Sequence, residues 1–259
     1  MQAVKNAVKA AIRATGFELR RIPKPLGPPV EFSPTEREVF RYVREHGLSM
    51  VSDERLYATI LACRHVVDQH IPGDFVECGV FKGGNALIAA WLFKALGVPR
   101  RVWLFDTFLG MTAPTDLDRE TTQGDLPAMI EYREKDRGDH NEWVYCPIEQ
   151  VQAHFREAGL PDDRVVFVQG DVLQTLRDPA NLPDQVSILR LDTDWYESTK
   201  VELEVLYPRL SVGGVLLIDD YGHFTGAQQA TDEYFANGVS RPLLNYTDYT
   251  GRVGVKTVA

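Results

Sequence analysis

Two apolar stretches of this sequence end in paired acids. VSILRLDTDWYEST, residues 186–199, runs from a hydrophobic segment into Asp192 and Asp194; GGVLLIDDYG, residues 213–222, runs into Asp219 and Asp220. Carboxylates at the ends of consecutive buried strands can converge on one hard cation, and Asp192, Asp219 and Asp220 are the candidate ligands. Oxygen donors of this kind favour magnesium or calcium over zinc. Magnesium keeps water positions that an acceptor hydroxyl can displace. A bound cation also lowers the pKa of a coordinated oxygen acid, less for magnesium than for zinc, so a base is still wanted. Asp194 can serve as that base, with a helix N-cap before WYEST as its alternative role. His140 and His223 are rival bases, since imidazole titrates in a useful range.

A second set of residues suits an organic ligand. The run Glu77-Cys78-Gly79-Val80-Phe81-Lys82-Gly83-Gly84-Asn85 is a glycine-rich strand-to-helix turn in which Gly79 and Gly83 permit close backbone approach. It matches neither a dinucleotide fingerprint nor a P-loop. A ligand with an amino-acid end and a nucleoside end fits better. Glu77, with Phe81 and Asn85 beside it, can accept from an ammonium. Asp106, next to Thr107, can take ribose hydroxyls. Gly170, Asp171 and Val172 can flank a base, and Asp192 borders the same space. Tyr57, Trp195 and Tyr221 offer flat faces for a sugar ring, with core packing as the alternative.

Elements must carry these residues to one place. Strands are expected at residues 74–80, 101–107, 164–171, 186–192 and 215–220, with helices at 84–96, 147–158, 172–177, 197–210 and 226–236 between and after them. Apolar strands alternating with helices imply a parallel, doubly wound α/β sheet with ligands at the carboxyl ends of its strands. The segments LLNYTD and RVGVKTV, joined through Tyr249–Gly251, add an antiparallel hairpin strand. Ser33 and Pro34 start one preceding helix, and Ser52 starts another, whose buried stripe is Leu56, Ile60, Leu61, Cys63, Val66 and Val67. Residues 108–146 are acidic and Gly/Pro-punctuated, too long for an ordinary loop, and suit a lid.

FVECGVFKGG, LFDTFLGM, QGD, LRLDTDWYEST and IDDYG, in this order from about Leu48 to the C-terminus, resemble the macrocin O-methyltransferase family. The resemblance implies a Rossmann-like class I fold with a seven-stranded, mostly parallel sheet. It implies S-adenosylmethionine as methyl donor, a sugar hydroxyl as acceptor, and a dimer or larger homo-oligomer. It maps cofactor binding to Glu77, Gly79 and Asp106, magnesium to Asp192, Asp219 and Asp220, and a candidate base to Asp194. Where the family usually has an acid after the D-T-F motif, this chain has Leu109, at the root of the insertion that faces the acceptor. A metal-dependent methyltransferase of catechol-like acceptors and a non-catalytic S-adenosylmethionine-binding protein are the alternatives; retention of all four aspartates argues against the second.

The chain has 259 residues, 44% hydrophobic and 25% charged, enough for one large α/β domain. Its net charge of −9 disfavours a dedicated nucleic-acid binder. Cys63, Cys78 and Cys146 read as free thiols of a reducing compartment. There is no apolar run of the ~20 residues needed to span a bilayer, nor a secretory signal, so a cytoplasmic protein is expected. Residues 1–30 stand apart from the methyltransferase domain at 31–259, whose first helices fill 31–72. Within residues 1–25, Val4, Val8, Ala11 and Ile12 share a helical face amid Lys5, Lys9, Arg13, Arg20, Arg21 and Lys24, which suits peripheral docking on anionic lipid or a glycan assembly, or a solvated helix that packs on the domain or on another subunit.

Overall fold

The computed structural model describes residues 13, 15, 16, 27–122, 125–160 and 162–258. It divides into one unit up to Glu31 and another from Phe32 onward. In the first, the Gly16 amide closes a turn onto the Arg13 carbonyl at 3.0 Å. The amphipathic reading of residues 1–25 otherwise lies outside the described residues.

The second unit begins with α1 (Pro34–Glu45) and α2 (Asp53–Asp68). Ser33 and Glu36 form a reciprocal capping box, with Pro34 where a missing N–H costs nothing. Ser52 caps α2 by accepting the Arg55 amide. Leu56, Ile60, Cys63 and Val66 are fully buried on α2, whereas Leu61 is 39% exposed. One residue turns a helix by about 100°, so Leu61 falls beyond the edge of the stripe that Ile60 belongs to.

The alternating units follow: β1 (Asp74–Cys78), α3 (Gly84–Ala95), β2 (Val102–Asp106), then the insertion, which carries the ribbon β3 (Arg119–Glu120) and β4 (Leu126–Pro127) and the short α4 (Met129–Lys135). Next come α5 (Ile148–Glu157), β5 (Val165–Gln169), α6 (Val172–Thr175), β6 (Val186–Leu191), α7 (Tyr196–Leu206), β7 (Leu210–Ile218), α8 (Thr225–Ala236), β8 (Asn245–Tyr246) and β9 (Arg252–Val255). Strand β7 starts at Leu210, inside what the sequence suggests is helix. The Ser211–Gly214 stretch resembles a turn but is an irregularity in the β6–β7 pairing, where the register shifts between Val186 and Ile188.

The seven-stranded sheet has the order β5-β2-β1-β6-β7-β9-β8. The first five strands are mutually parallel. Strand β9 runs antiparallel to β7 and pairs with β8 at the edge. Alternation along the strands feeds two cores. Phe75, Leu104 and Ile188 face α1, α2, α3 and α5, while Val76, Phe105 and Leu189 face α6, α7 and α8. The chain passes from β1 outward to β2 and β5, then returns to place β6 and β7 on the other side. The carboxyl ends of β1 and β6 therefore open the crevice in which such sheets bind ligands.

Candidate active site

A cavity of about 260 Å³ occupies that crevice, lined from the ends of all five parallel strands. Glu77 contributes from β1, Asp106 from β2, Gly170, Asp171 and Val172 from the end of β5, Asp192 and Asp194 from β6, and Asp219 and Asp220 from β7. Gly79, Phe81, Asn85, Thr107 and His223 also line it.

Beneath the acids lies a residue that the sequence reading passes over. Arg190 is buried one residue before the carboxyl end of β6 and is the direct register partner of Glu77 on β1. Its Nη1 donates to Glu77 Oε1 at 2.9 Å and to Asp192 Oδ2 at 2.6 Å, and its Nη2 donates to Asp219. Burial opposes the charge on Arg190, but Asp192, Asp219 and Glu77 together hold the guanidinium well above its ordinary pKa. A second arginine, Arg55 of α2, donates to the other oxygen of Asp219 and lies 3.0 Å from Asp248. Asp219 is thus gripped on both oxygens by guanidinium groups. Of the expected ligands Asp192, Asp219 and Asp220, two, Asp192 and Asp220, have carboxylate oxygens within 4.8 Å of each other, and Asp194 joins that group.

Asp194 sits at φ 70°, a left-handed conformation uncommon for a residue with a Cβ. It is not the helix cap. Trp195 holds the N-cap position of α7 without a side-chain bond, and the Tyr196 amide is accepted by Asp118 of the insertion at 2.7 Å. Burial pushes the Asp194 carboxyl up to about 7, against a bond with Asp220. Burial, with Asp194 and Asp219 beside it, raises Asp220 well above the carboxylate range. Asp220 Oδ2 is buried with no hydrogen-bond partner. The oxygen donors and this orphaned atom fit a small hard cation.

At the end of β1, Glu77 is fully buried and pushed up to about 7 by burial, against the pull of Arg190. Its Oε2 has no partner, as an acceptor awaiting an ammonium donor would. Asp171 accepts the Leu173 amide at 2.9 Å with one oxygen. Asp106 lines the cavity and is also tied to its walls. It accepts from the amides of Val80 (2.6 Å), Phe81 (3.2 Å) and Phe108 (2.7 Å), and Thr107 Oγ1 lies 3.4 Å away. Phe81 and Phe108 both have positive φ, so this carboxylate ties down two strained turns at the cavity wall. Three amides take up most of its roughly four acceptor positions, and the Thr107 hydroxyl donates to the Gly110 carbonyl at 2.7 Å, so one acceptor position remains for a ligand.

Several other expected residues serve the framework. A Cβ on Gly79 would collide with the Asp192 carbonyl, so this glycine lets β1 and the acid loop touch. Gly83 is outside the lining and leaves room for Val151 and Phe155. Asn85 accepts from Thr59 at 2.8 Å. Tyr57 packs on Phe32 and Phe40. Trp195 is buried with Phe224 and Trp143 and donates to the Thr112 carbonyl at 2.9 Å. Tyr221 bonds Asp232 at 2.8 Å, and His140 pairs with Asp139 at 2.8 Å. None of these four aromatic or histidine side chains lines the cavity. His223 does, 3.2 Å from the Tyr249 hydroxyl, with its pKa lowered by burial. A lone charge inside the apolar run of β6 is the signal that marks Arg190. Arg55, Asp118 and Tyr249 reach the site through tertiary packing and carry no local signal.

The family model of Macrocin-O-methyltransferase (TylF) matches residues 18–253. The 8-demethyl-8-(2,3-dimethoxy-alpha-L-rhamnosyl)-tetracenomycin-C 4'-O-methyltransferase of Streptomyces olivaceus is 36% identical over 75% of this chain and 70% of its own. The demethyldecarbamoylnovobiocin O-methyltransferase of Streptomyces niveus is 33% identical over 73% of this chain and 68% of its own. Among solved structures, the O-methyltransferase NovP superposes with a TM-score of 0.69 at 31% identity, over 82% of this chain and 83% of that one. The calicheamicin methyltransferase CalS11 shares the fold, with a TM-score of 0.57 at 21% identity over 92% of this chain and 99% of that one.

Proposed function

The chain belongs to the macrocin O-methyltransferase family and is an S-adenosylmethionine-dependent O-methyltransferase, and from its cavity we propose that the acceptor is a sugar hydroxyl of a small-molecule glycoside, methylated with the help of magnesium. The observation that carries this reading is the division of the cavity. An unpartnered Glu77 oxygen lies at one strand end and three converging carboxylates, Asp192, Asp194 and Asp220, lie at the next two. Relatives named for methylating a rhamnosyl tetracenomycin and a novobiocin precursor support the acceptor class.

S-adenosylmethionine, when bound, supplies a methyl group on a cationic sulfonium. Glu77 would hold its ammonium end, and Asp171 with the backbone of Gly170 and Val172 its base. Magnesium would be held by Asp192 and Asp220, consistent with its habit of using one or two carboxylates and keeping other positions for water and substrate; bound there, it would polarise an acceptor oxygen. Asp219, gripped by Arg55 and Arg190, positions these carboxylates and does not join them. Asp194 takes the acceptor's hydroxyl proton onto one of its carboxylate oxygens as the acceptor oxygen becomes nucleophilic. Burial raises the Asp194 carboxyl above the ordinary carboxylate range, which makes it a better proton acceptor. The remaining contribution is orientation: the Asp106 clamp and the Arg190 network fix the cavity walls before either reactant enters.

The test is an acceptor screen with labelled S-adenosylmethionine, offering neutral glycosides, nucleoside-diphosphate sugars and catechols, with magnesium or with EDTA. Magnesium-dependent labelling of a glycoside, abolished in Asp194→Asn and Asp220→Asn, is the expected result. Labelling of catechols alone, or labelling indifferent to EDTA, would refute the acceptor or the metal assignment respectively. Cofactor binding with no labelled product from any of these would place the acceptor outside all three classes and refute the glycoside assignment.

A further inference from the structure

Glu202 is a buried carboxyl that the proposed chemistry does not use. It lies on α7 with no exposed surface. Its Oε1 accepts the Thr193 hydroxyl at 2.8 Å, the Cys78 thiol lies beside it, and its Oε2 has no hydrogen-bond partner. Thr193 is the residue between Asp192 and Asp194. An apolar side chain would fill such a place without the cost of desolvating a polar group, so the carboxyl calls for a reason.

The Asp192–Thr193–Asp194 turn supplies one. Asp194 is held at φ 70°, and a strained backbone persists only where surrounding contacts over-determine it. The turn's main chain is fastened at three points: the Asp192 amide donates to the Cys78 carbonyl at 2.9 Å, the Trp195 amide to the Thr193 carbonyl at 2.8 Å, and Ser198 Oγ to that same carbonyl at 3.3 Å. The Thr193 side chain is fastened to Glu202. We propose that Glu202 is a positioning residue that, through Thr193, fixes this turn so that Asp192 and Asp194 face Asp220. It props the loop from behind, on the face of the sheet opposite Arg190, which holds Asp192 from below. Burial pushes Glu202 up to about 8, which favours its uncharged form beside a site already crowded with carboxylates. The role rests on the proposed cation site, since that is what the fixed aspartates serve.

The experiment titrates the full-length protein with Mn²⁺, followed by electron paramagnetic resonance, in the wild type and in Glu202→Gln, Glu202→Leu, Thr193→Ser and Thr193→Val. Thermal denaturation is measured alongside. Glutamine keeps an acceptor oxygen and serine keeps the hydroxyl, so both should bind Mn²⁺ within about twofold of wild type. Leucine and valine should weaken binding by about 10-fold or more, the usual effect of removing a group that orients a metal ligand. Binding of S-adenosylmethionine should stay unchanged in all four. Wild-type Mn²⁺ affinity in Glu202→Leu and Thr193→Val, whatever their melting temperatures, would reduce Glu202 to a packing residue and overturn the proposal. So would a Glu202→Gln protein as weak as Glu202→Leu. If Glu202→Leu does not fold, the Thr193→Val and Thr193→Ser pair decides alone. A wild type that binds no Mn²⁺ refutes the cation site, and this role with it.

Discussion

Asp118 caps helix α7 from 78 residues away in the chain: its Oδ1 accepts the Tyr196 amide at 2.7 Å. Its Oδ2 accepts both the amide and the hydroxyl of Thr115, at 2.7 and 2.9 Å, and the side chain is fully buried. One carboxylate thus satisfies the start of the helix behind the acid loop and the foot of the insertion at the same time. It also relieves Asp194 of the cap that its position suggests. Around it, Arg119 and Thr225, and Thr121 and Gly222, tie the insertion to the start of α8 and to the turn that precedes it.

Asp118→Ala should therefore destabilise the protein by roughly 1–3 kcal/mol, the cost of an unmet buried amide together with a lost cap. Urea denaturation measures this directly. The same variant should raise KM for the acceptor more than it weakens S-adenosylmethionine binding, because the insertion borders the cavity through Met111, Thr112, Trp143 and Val144. Equal effects on both ligands would show that the insertion has no preference for the acceptor side.

Arg190→Leu should be far more damaging. It leaves Glu77, Asp192 and Asp219 without the guanidinium that faces all three. Breaking a buried ion pair from one side typically costs about 3–5 kcal/mol. The variant should be recovered unfolded or with a strongly lowered denaturation midpoint at neutral pH, and should regain part of that loss at pH 5, where the carboxyls protonate. Arg190→Lys should rescue little, since one ammonium cannot donate along three directions in the plane that the fork provides.

Much of the fold is legible in the sequence because burial on both faces makes the parallel strands continuous apolar runs, VWLF and VSIL among them. The acids at their ends stand out against those runs, and the sheet order then gathers them in one cavity. What escapes is whatever depends on side chains arriving from elsewhere. Asp106 looks like a ligand-binding acid, but whether its oxygens are free depends on the loops that fold over it. Asp219 and Asp220 are equivalent in the sequence and become different only when Arg55, more than 160 residues earlier, reaches one of them. Tyr57 and Trp195 illustrate the converse: an aromatic ring near a motif is drawn into the core by its area unless something holds it at the surface.

Stability should depend on pH through buried carboxyls, two glutamates and the aspartates of the acid cluster among them. Glu77 is pushed up to about 7 and Glu202 to about 8, both by burial, from an ordinary value of 4.5. Between pH 4.5 and these values the folded protein holds protons that the unfolded chain releases. Linkage then requires stability to fall as pH rises through that window. In EDTA, the urea midpoint of the wild type should drop from about pH 5 to about pH 8. Glutamine does not titrate, so Glu202→Gln should show a shallower decline and gain on the wild type as pH increases. Parallel profiles for the two proteins would mean that Glu202 titrates in its ordinary range.

The charge of the cavity should select among acceptors. Seven acids line it: Glu77, Asp106, Asp171, Asp192, Asp194, Asp219 and Asp220. Among the described residues its lining offers one arginine, Arg55, already committed to Asp219 and Asp248, and one histidine, His223, whose burial favours the neutral form. Burial holds several of them partly protonated, and the field of those that are ionised attracts a cationic sulfonium and opposes phosphate or carboxylate groups, focused by low-dielectric walls. A neutral glycoside should accordingly be methylated with a kcat/KM at least about 10-fold above that of the corresponding nucleoside-diphosphate sugar, a difference of about 1.4 kcal/mol in transition-state binding. Raising the ionic strength should narrow the gap, because screening weakens the repulsion of an anion approaching the mouth more than contacts made inside. Steady-state kinetics on a matched pair of acceptors at low and high salt measures both effects. A nucleotide sugar that performs as well as the neutral glycoside at low salt would mean that the bound cation, and not the carboxylates, sets the potential the acceptor meets.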